Sequence, residues 1–289
     1  MYHNMEELLK LCEEKRAPLW EIILENEKKL SDCTEEEIWQ KVETRYEVME
    51  ESTKRARKEP LTTAGNLISG VAFAQQFYSE KENTICGSLL NRVMAYALSC
   101  SEVNASMGKI CALPTAGACG IVPAVLLCLA ENKELEHKSV LQGLMTASGI
   151  GAIITKNATV SGAEGGCQAE CGVAAAMAAS AAVEMNGGSP RQALHACSIA
   201  LMNVMGLVCD PIAGLVQVPC AQRNASQAVN ALISADLALG GMESIIPPDQ
   251  VVEAMYRVGK LLPYQLKETA LGGLAATKRG KELFEEILK

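Results

Sequence analysis

Aromatic residues make up only 4% of the 289 residues, and there are three histidines, His3, His137 and His195. An all-histidine metal site would need all three to converge, which makes imidazole an unpromising ligand set. Positive charge is not in surplus: 26 Lys and Arg stand against 34 Asp and Glu, a formal charge of −8. Nucleic acid is therefore not expected as the main partner, because neutralising phosphates needs a Lys/Arg surface. No CxxC pair occurs, so the spacing is not that of a zinc ribbon. Runs of alternating apolar and polar residues are also missing, which argues against half-buried strands. The opening Met1-Tyr2-His3-Asn4-Met5-Glu6-Glu7 has neither the basic nor the apolar region of a signal peptide, and a cytoplasmic location is expected.

Cysteine, by contrast, is plentiful at 12 residues. In a reducing compartment this reads as buried thiols plus a metal site rather than a disulfide framework. Charge is unevenly spread: residues 1–60 carry 27 charged side chains, 61–240 carry 19, and 241–289 carry 14. The middle is thus dry. The stretch 110–130 is long enough to span a bilayer. Pro114, Gly117, Gly120 and Pro123 interrupt it, and it lacks an aromatic belt. A buried, ligand-lined core is expected there, with no membrane.

Helical spacing dominates, and the chain reads as all-α. Residues 5–58 form charged amphipathic helices, with Thr34 and Glu37 as a capping box. A charged helical extension over 1–60 and a catalytic domain over 61–289 are expected, with Pro60 and the turn at 62–65 between them. Further helices are expected at 84–100, 140–154, 172–185, 191–206, 222–239 and 249–262. The fourth of these, 191–206, is announced by Ser189, Pro190 and Gln192 at N-cap, N1 and N3. Cys12, Cys33, Cys86, Cys100, Cys128 and Cys197 lie in helical patterns and read as small buried hydrophobes.

Three glycine-punctuated loops interrupt the dry block, at 111–123, 156–170 and 209–220. Irregular backbone in such surroundings leaves N–H groups that need acceptors, and it often lines an anion site. Cys167, Cys171, Cys209 and Cys220 lie in or beside two of these loops. On spacing alone, a thiolate metal site, an iron–sulfur site and plain buried thiols all remain open.

The motifs themselves are more specific. Pro-Thr-Ala-Gly-Ala-Cys-Gly-Ile-Val-Pro-Ala at 114–124, Ser-Gly-Ala-Glu-Gly-Gly-Cys-Gln-Ala-Glu at 161–170 and Cys-Asp-Pro-Ile-Ala-Gly-Leu-Val-Gln-Val-Pro-Cys at 209–220 resemble those of the iron–sulfur L-serine dehydratases. Arg223-Asn224-Ala225 and Glu268 to Ala275 extend the match. The resemblance is to the catalytic α subunit of the two-subunit type. It implies a helical catalytic domain whose Gly-rich loops hold a 4Fe–4S cluster through Cys167, Cys209 and Cys220, with Cys171 as a packing residue. Three ligands leave one iron open as a Lewis acid for the serine hydroxyl, so that L-serine yields pyruvate and ammonia. The resemblance also implies a separate β subunit, and a homo-oligomer is possible.

For the substrate, Thr115, Gly117, Ala118 and Gly120 are expected to hold the carboxylate, with Ser161 and Gly162 near the hydroxyl or the cluster. Lys156 and Glu164 have the chemistry of the base that removes the Cα proton. His195 reads as a satisfied structural histidine, and Asp210 as a cap or turn of the ligand loop. Two features depart from single-chain members: no cysteine follows Cys220, and the Ser-Ser-Ser-His loop of their N-terminal module is missing. Competing readings are a cysteine desulfidase-like β-eliminase, a pyridoxal-phosphate enzyme using Lys156 and the 161–166 loop, and a non-catalytic iron–sulfur sensor or scaffold.

Overall fold

A computed structural model describes residues 1–287. Among these residues there are thirteen α-helices and no strand; a lone parallel bridge joins Cys209 to Lys267. The first three helices are α1 (Met5–Lys15), α2 (Leu19–Ser31) and α3 (Glu35–Lys58). Thr34 and Glu37 form the expected reciprocal capping box on α3. The charged N-terminal stretch is not held at arm's length. Met5, Leu8, Leu19, Ile22, Ile23 and Ile38 join the same hydrophobic core as the middle of the chain.

Two carboxylates from the body help cap α1 and α2, in addition to the Asn4 side chain on α1 and in place of any local side chain on α2. Asp249 accepts from the Met5 and Glu6 N–H groups, at 2.9 and 3.0 Å. Glu184 accepts from Leu19 N–H and from the Thr146 hydroxyl. Each satisfies donors that a helix start leaves orphaned, and each puts negative charge at the positive end of a helix dipole.

Next come α4 (Val71–Ser79), α5 (Gly87–Ala105), α6 (Ile121–Lys133) and α7 (His137–Asn157). No element was expected over α4, because its apolar residues include Phe73 and Phe77, which face outward rather than marking a core stripe. The segment leading into it is clipped to α5 by Glu102. This carboxylate is fully buried and accepts from the N–H groups of Leu61, Gly70 and Ala72, at 2.8, 2.8 and 3.1 Å. The apolar window Ala116–Lys133 is 72% buried inside the protein. Its helix α6 is buried over all of Ile121–Ala130.

The short α8 (Gly162–Gly165) and a π-type turn over Gln168–Gly172 lead into α9 (Val173–Met185). Every residue of α9 from Val173 to Val183 is buried. A helix apolar on all sides must be surrounded, and α6, α7, α10 (Pro190–Met202) and α11 (Cys220–Leu239) do this. Its alanines let those neighbours approach closely. Gly149 of α7 does the same for α2, since a Cβ there would collide with Ile23. The set ends with α12 (Pro248–Leu261) and α13 (Lys278–Ile287). Ser189, Pro190 and Gln192 open α10 as expected.

Two cysteine expectations need correction. Cys86 is exposed just before α5, and Cys33 sits between α2 and α3, where its sulfur accepts from Lys41 Nζ at 3.0 Å. Both lie at helix ends, where the apolar period no longer dictates burial.

Candidate active site and metal centre

The chemistry-bearing loops meet beside the start of α9. Cys167, Cys209 and Cys220 are all buried. They come from three places: the residue before the π-type turn, the bridge to 267, and the first turn of α11. Gln168 locks the first of these. Its side chain donates to Gly165 O and Met255 O, at 2.9 and 3.1 Å, and accepts from Gly206 N at 2.8 Å. Cys209 is held by backbone bonds in both directions: its N–H donates to Leu266 O at 2.8 Å, and its carbonyl accepts from Glu268 N at 2.7 Å.

Arg223 and Asp210 join the other two cysteine positions. The guanidinium donates to Asp210 Oδ1 and to Val208 O, at 2.8 and 2.7 Å. Asp210 also accepts from Leu274 N at 2.7 Å. The expected turn residue thus ties the ligand loop to the segment at 274.

The thiols feel one another. Burial, followed by the charges of Cys167 and Glu170, pushes the Cys220 thiol up to about 12. Burial first, and then Cys167 and Glu170, drive Cys209 higher still. Cys167 goes the other way, because of its hydrogen bond with Cys171, sulfur to sulfur at 3.3 Å, and because Arg223 stands close by. Three buried sulfurs that resist ionising together are a donor set that a cation would organise.

Two carboxylates complete the arrangement. Ligand atoms of Glu170, Cys209 and Glu268 all lie within 4.8 Å of one another, with Glu170 Oε2 3.9 Å from Cys209 Sγ. Burial is the main reason the Glu170 carboxyl is pushed up to about 7; Glu268 adds to this, while Thr115 and Cys209 oppose it. Cys167 and Cys220 stand outside this tight group. The three thiols therefore fit a group larger than a single ion, and the chemistry of the set suits iron and sulfur.

The glycines of the first two loops are shaped by that carboxylate. A Cβ on Gly162 would sit 2.5 Å from Glu170 Oε2 and 3.1 Å from Cys209 Sγ. One on Gly117 would sit 3.2 Å from Glu170 Oε1. Gly120 is fixed for a different reason: its Cβ would meet Ala97 O at 2.5 Å.

The expected substrate residues divide. Thr115, Gly117 and Gly162 border Glu170. Thr115 Oγ1 is buried without a hydrogen-bond partner of good geometry, although it lies near enough to Glu170 to favour its ionised form. Gly120 N–H is already committed to Asn224 Oδ1 at 2.9 Å, and Ala118 N–H donates to Thr115 O at 3.3 Å. Asn224 also donates to Gly117 O and Cys220 O, at 2.7 and 2.9 Å, so it links the first loop to the third. Ser161 precedes α8, its N–H on Thr159 Oγ1 at 3.2 Å.

The two expected bases both lie at the surface. Lys156 is exposed, and its Nζ meets His3 Nδ1 at 2.9 Å, beside a cavity of about 200 Å³ lined by Tyr2, Ile23 and Gly149. Glu164 is also exposed. Glu170 was quoted in the motif but given no role. The available signal was a carboxylate three residues after Cys167, in a block with almost no basic residue to pair it. His195 accepts from Ser244 N at 3.1 Å, while its Nε2 is buried without a partner.

Thiols and carboxylates brought to loop ends inside a strand-free helical body define a helical enzyme with a candidate thiolate metal centre. A family model described as "Serine dehydratase alpha chain" matches residues 14–275. The "L-serine dehydratase, alpha chain" of Peptoniphilus asaccharolyticus is 49% identical over 289 residues, covering 100% of this chain and 99% of that protein. The "Probable L-serine dehydratase, alpha chain" of Bacillus subtilis is 42% identical over 287 residues, covering 99% and 95%. The "L-serine dehydratase 2" of Escherichia coli is 38% identical over 280 residues, covering 95% of this chain but 61% of its own length. The chain belongs to the serine dehydratase alpha chain family.

Proposed function

We propose that the chain is the cluster-binding subunit of an L-serine dehydratase that converts L-serine to pyruvate and ammonia. The observation that carries this reading is the convergence of three buried thiols with Glu170 on loops whose sequences match the family. Cys167, Cys209 and Cys220 would hold a 4Fe–4S cluster, with Cys171 supporting Cys167 by its hydrogen bond. When bound, the cluster supplies a Lewis-acidic iron for the departing hydroxyl.

The chain's own residues supply the rest. Glu170, poised near neutrality by burial, takes the Cα proton; a base works best when its pKa lies near the working pH. It replaces Lys156 and Glu164 in that role. The unsatisfied Thr115 hydroxyl donates to the substrate carboxylate, and the bare faces of Gly117 and Gly162 let the Glu170 carboxylate sit close against the first two loops. Dry walls around the site strengthen each of these polar contacts.

A companion β subunit is part of this reading. Its support is the alpha-chain name of the relatives and the E. coli proteins of which this chain matches 61%. Anaerobic reconstitution with iron and sulfide, followed by a pyruvate assay on L-serine with and without the companion chain, tests the whole. Ser at 167, 209 or 220 is expected to abolish iron binding and turnover. Cys171→Ser is expected to keep most of the iron. Full activity in iron-free protein would overturn the proposal.

A further inference from the structure

We propose that the cluster-free chain carries a mononuclear site for a divalent first-row cation, formed by Glu170, Cys209 and Glu268. This goes beyond the cluster reading and does not depend on it. The three side chains come from the π-type turn, the loop after α10 and the loop after α12, yet one ligand atom from each lies within 4.8 Å of the others. The 3.9 Å between Glu170 Oε2 and Cys209 Sγ is already close to the roughly 3.6 Å that an oxygen and a sulfur ligand span on a tetrahedral ion.

The third ligand is tethered to the second. Cys209 N–H donates to Leu266 O and Glu268 N–H donates to Cys209 O, so the Glu268 backbone cannot drift from the thiol. Its side chain is exposed and has the rotamer freedom to close the remaining ångström. Glu170 comes from the buried side, and Glu268 from the solvent side. The site thus has a dry floor and an open entrance. One thiolate and two carboxylates suit ferrous iron, zinc and cobalt better than magnesium or calcium, which favour all-oxygen shells.

The site shares Cys209 with the thiol set but leaves out Cys167 and Cys220, which the cluster reading requires. A single ion held here and a complete cluster therefore exclude each other. The site is then a landing place for the first iron and the position at which zinc would compete.

The test uses Co(II) on the full-length chain after anaerobic treatment with a chelator and removal of the chelator. Stoichiometric Co(II) is expected to give near-ultraviolet thiolate-to-cobalt absorption and visible bands of a low-coordinate ion. Cys209→Ser should abolish the charge-transfer band. Glu268→Gln, at an exposed side chain that leaves the helical circular dichroism unchanged, should weaken binding about tenfold or more, as losses around metal sites commonly do. Cys167→Ser and Cys220→Ser should bind within about twofold of the parent. Absence of the band in the parent chain overturns the proposal. So does its loss in the Cys167 or Cys220 variant, which would place the ion among the three thiols instead. Failure of the cluster to assemble in the parent, by contrast, would sink the function proposed above and leave this site standing.

Discussion

Arg223 Nη2 donates to Asp210 Oδ1 at 2.8 Å, and this pair fastens two cysteine positions to each other. Asp210 follows Cys209 directly, and Arg223 lies one turn after Cys220. Asp210 is only 3% exposed, so the carboxylate is committed to the guanidinium and to Leu274 N. Removing one member of such a buried pair leaves the other charge uncompensated. Asp210→Ala should lose about 3–5 kcal/mol of stability, read as a shift in the urea midpoint of the iron-free chain. A change under about 0.5 kcal/mol would show that the pair does not brace the loops.

Thr115→Val separates binding from folding. The Thr115 hydroxyl is buried without a hydrogen bond of good geometry in the chain, so replacing it with a methyl removes only its weak support of the Glu170 carboxylate. Stability should hold or rise slightly. A lost hydrogen bond to a charged carboxylate costs about 1.5–3 kcal/mol, which corresponds to a KM for L-serine raised roughly tenfold to a hundredfold. Steady-state kinetics with a melting curve on the same sample decide the point. An unchanged KM removes Thr115 from the substrate's contacts.

Gly162→Ala aims at the base. The new methyl would press on Glu170 Oε2 at 2.5 Å and on Cys209 Sγ at 3.1 Å. The flexible carboxylate yields more readily than the backbone, so the fold should survive while Glu170 is displaced. A displacement of about 1 Å can cost roughly a hundredfold in rate. The expected outcome is a fall of that size in kcat, with iron content retained. Near-parental kcat would argue against Glu170 as the proton acceptor.

Glu184 predicts a pH dependence in a different part of the chain from Cys167, Cys209 and Cys220, at the start of α2. Burial raises its carboxyl above the ordinary value of 4.5. The folded chain therefore keeps a proton that the unfolded chain has already released. That contribution is fully present below pH 4.5 and is lost as pH rises through the raised value. In Glu184→Gln the proton cannot be lost, and the side chain still offers an oxygen to Leu19 N–H. Urea midpoints measured upward from pH 4.5 should fall in the parent and stay flatter in the variant. Parallel curves would refute the assignment.

Much of the fold was legible because its signals are local. Thr34 with Glu37, and Ser189 with Pro190 and Gln192, announce helix starts that need no tertiary help. The alanine run of α9 declares both its helicity and its burial. The helix α4 was missed because Phe73 and Phe77 point outward, against the pattern that marks a core face. At the site, the cysteines could be read from their motifs, but the base could not. Lys156 and Glu164 flank a suggestive stretch, yet Lys156 falls in the last turn of α7 and Glu164 within α8, and both are exposed. Glu170 acquires its importance from residues 39 and 98 positions away, Cys209 and Glu268, which only folding brings beside it.

Asp249 and Glu184 reach from α12 and α9 to receive the starts of α1 and α2. A shortened version beginning after residue 31 would strand both acceptors without their backbone donors. The segment that looks most dispensable, by its density of charge, is thereby written into the electrostatics of the innermost helix, and minimal variants of this protein should be sought by trimming elsewhere.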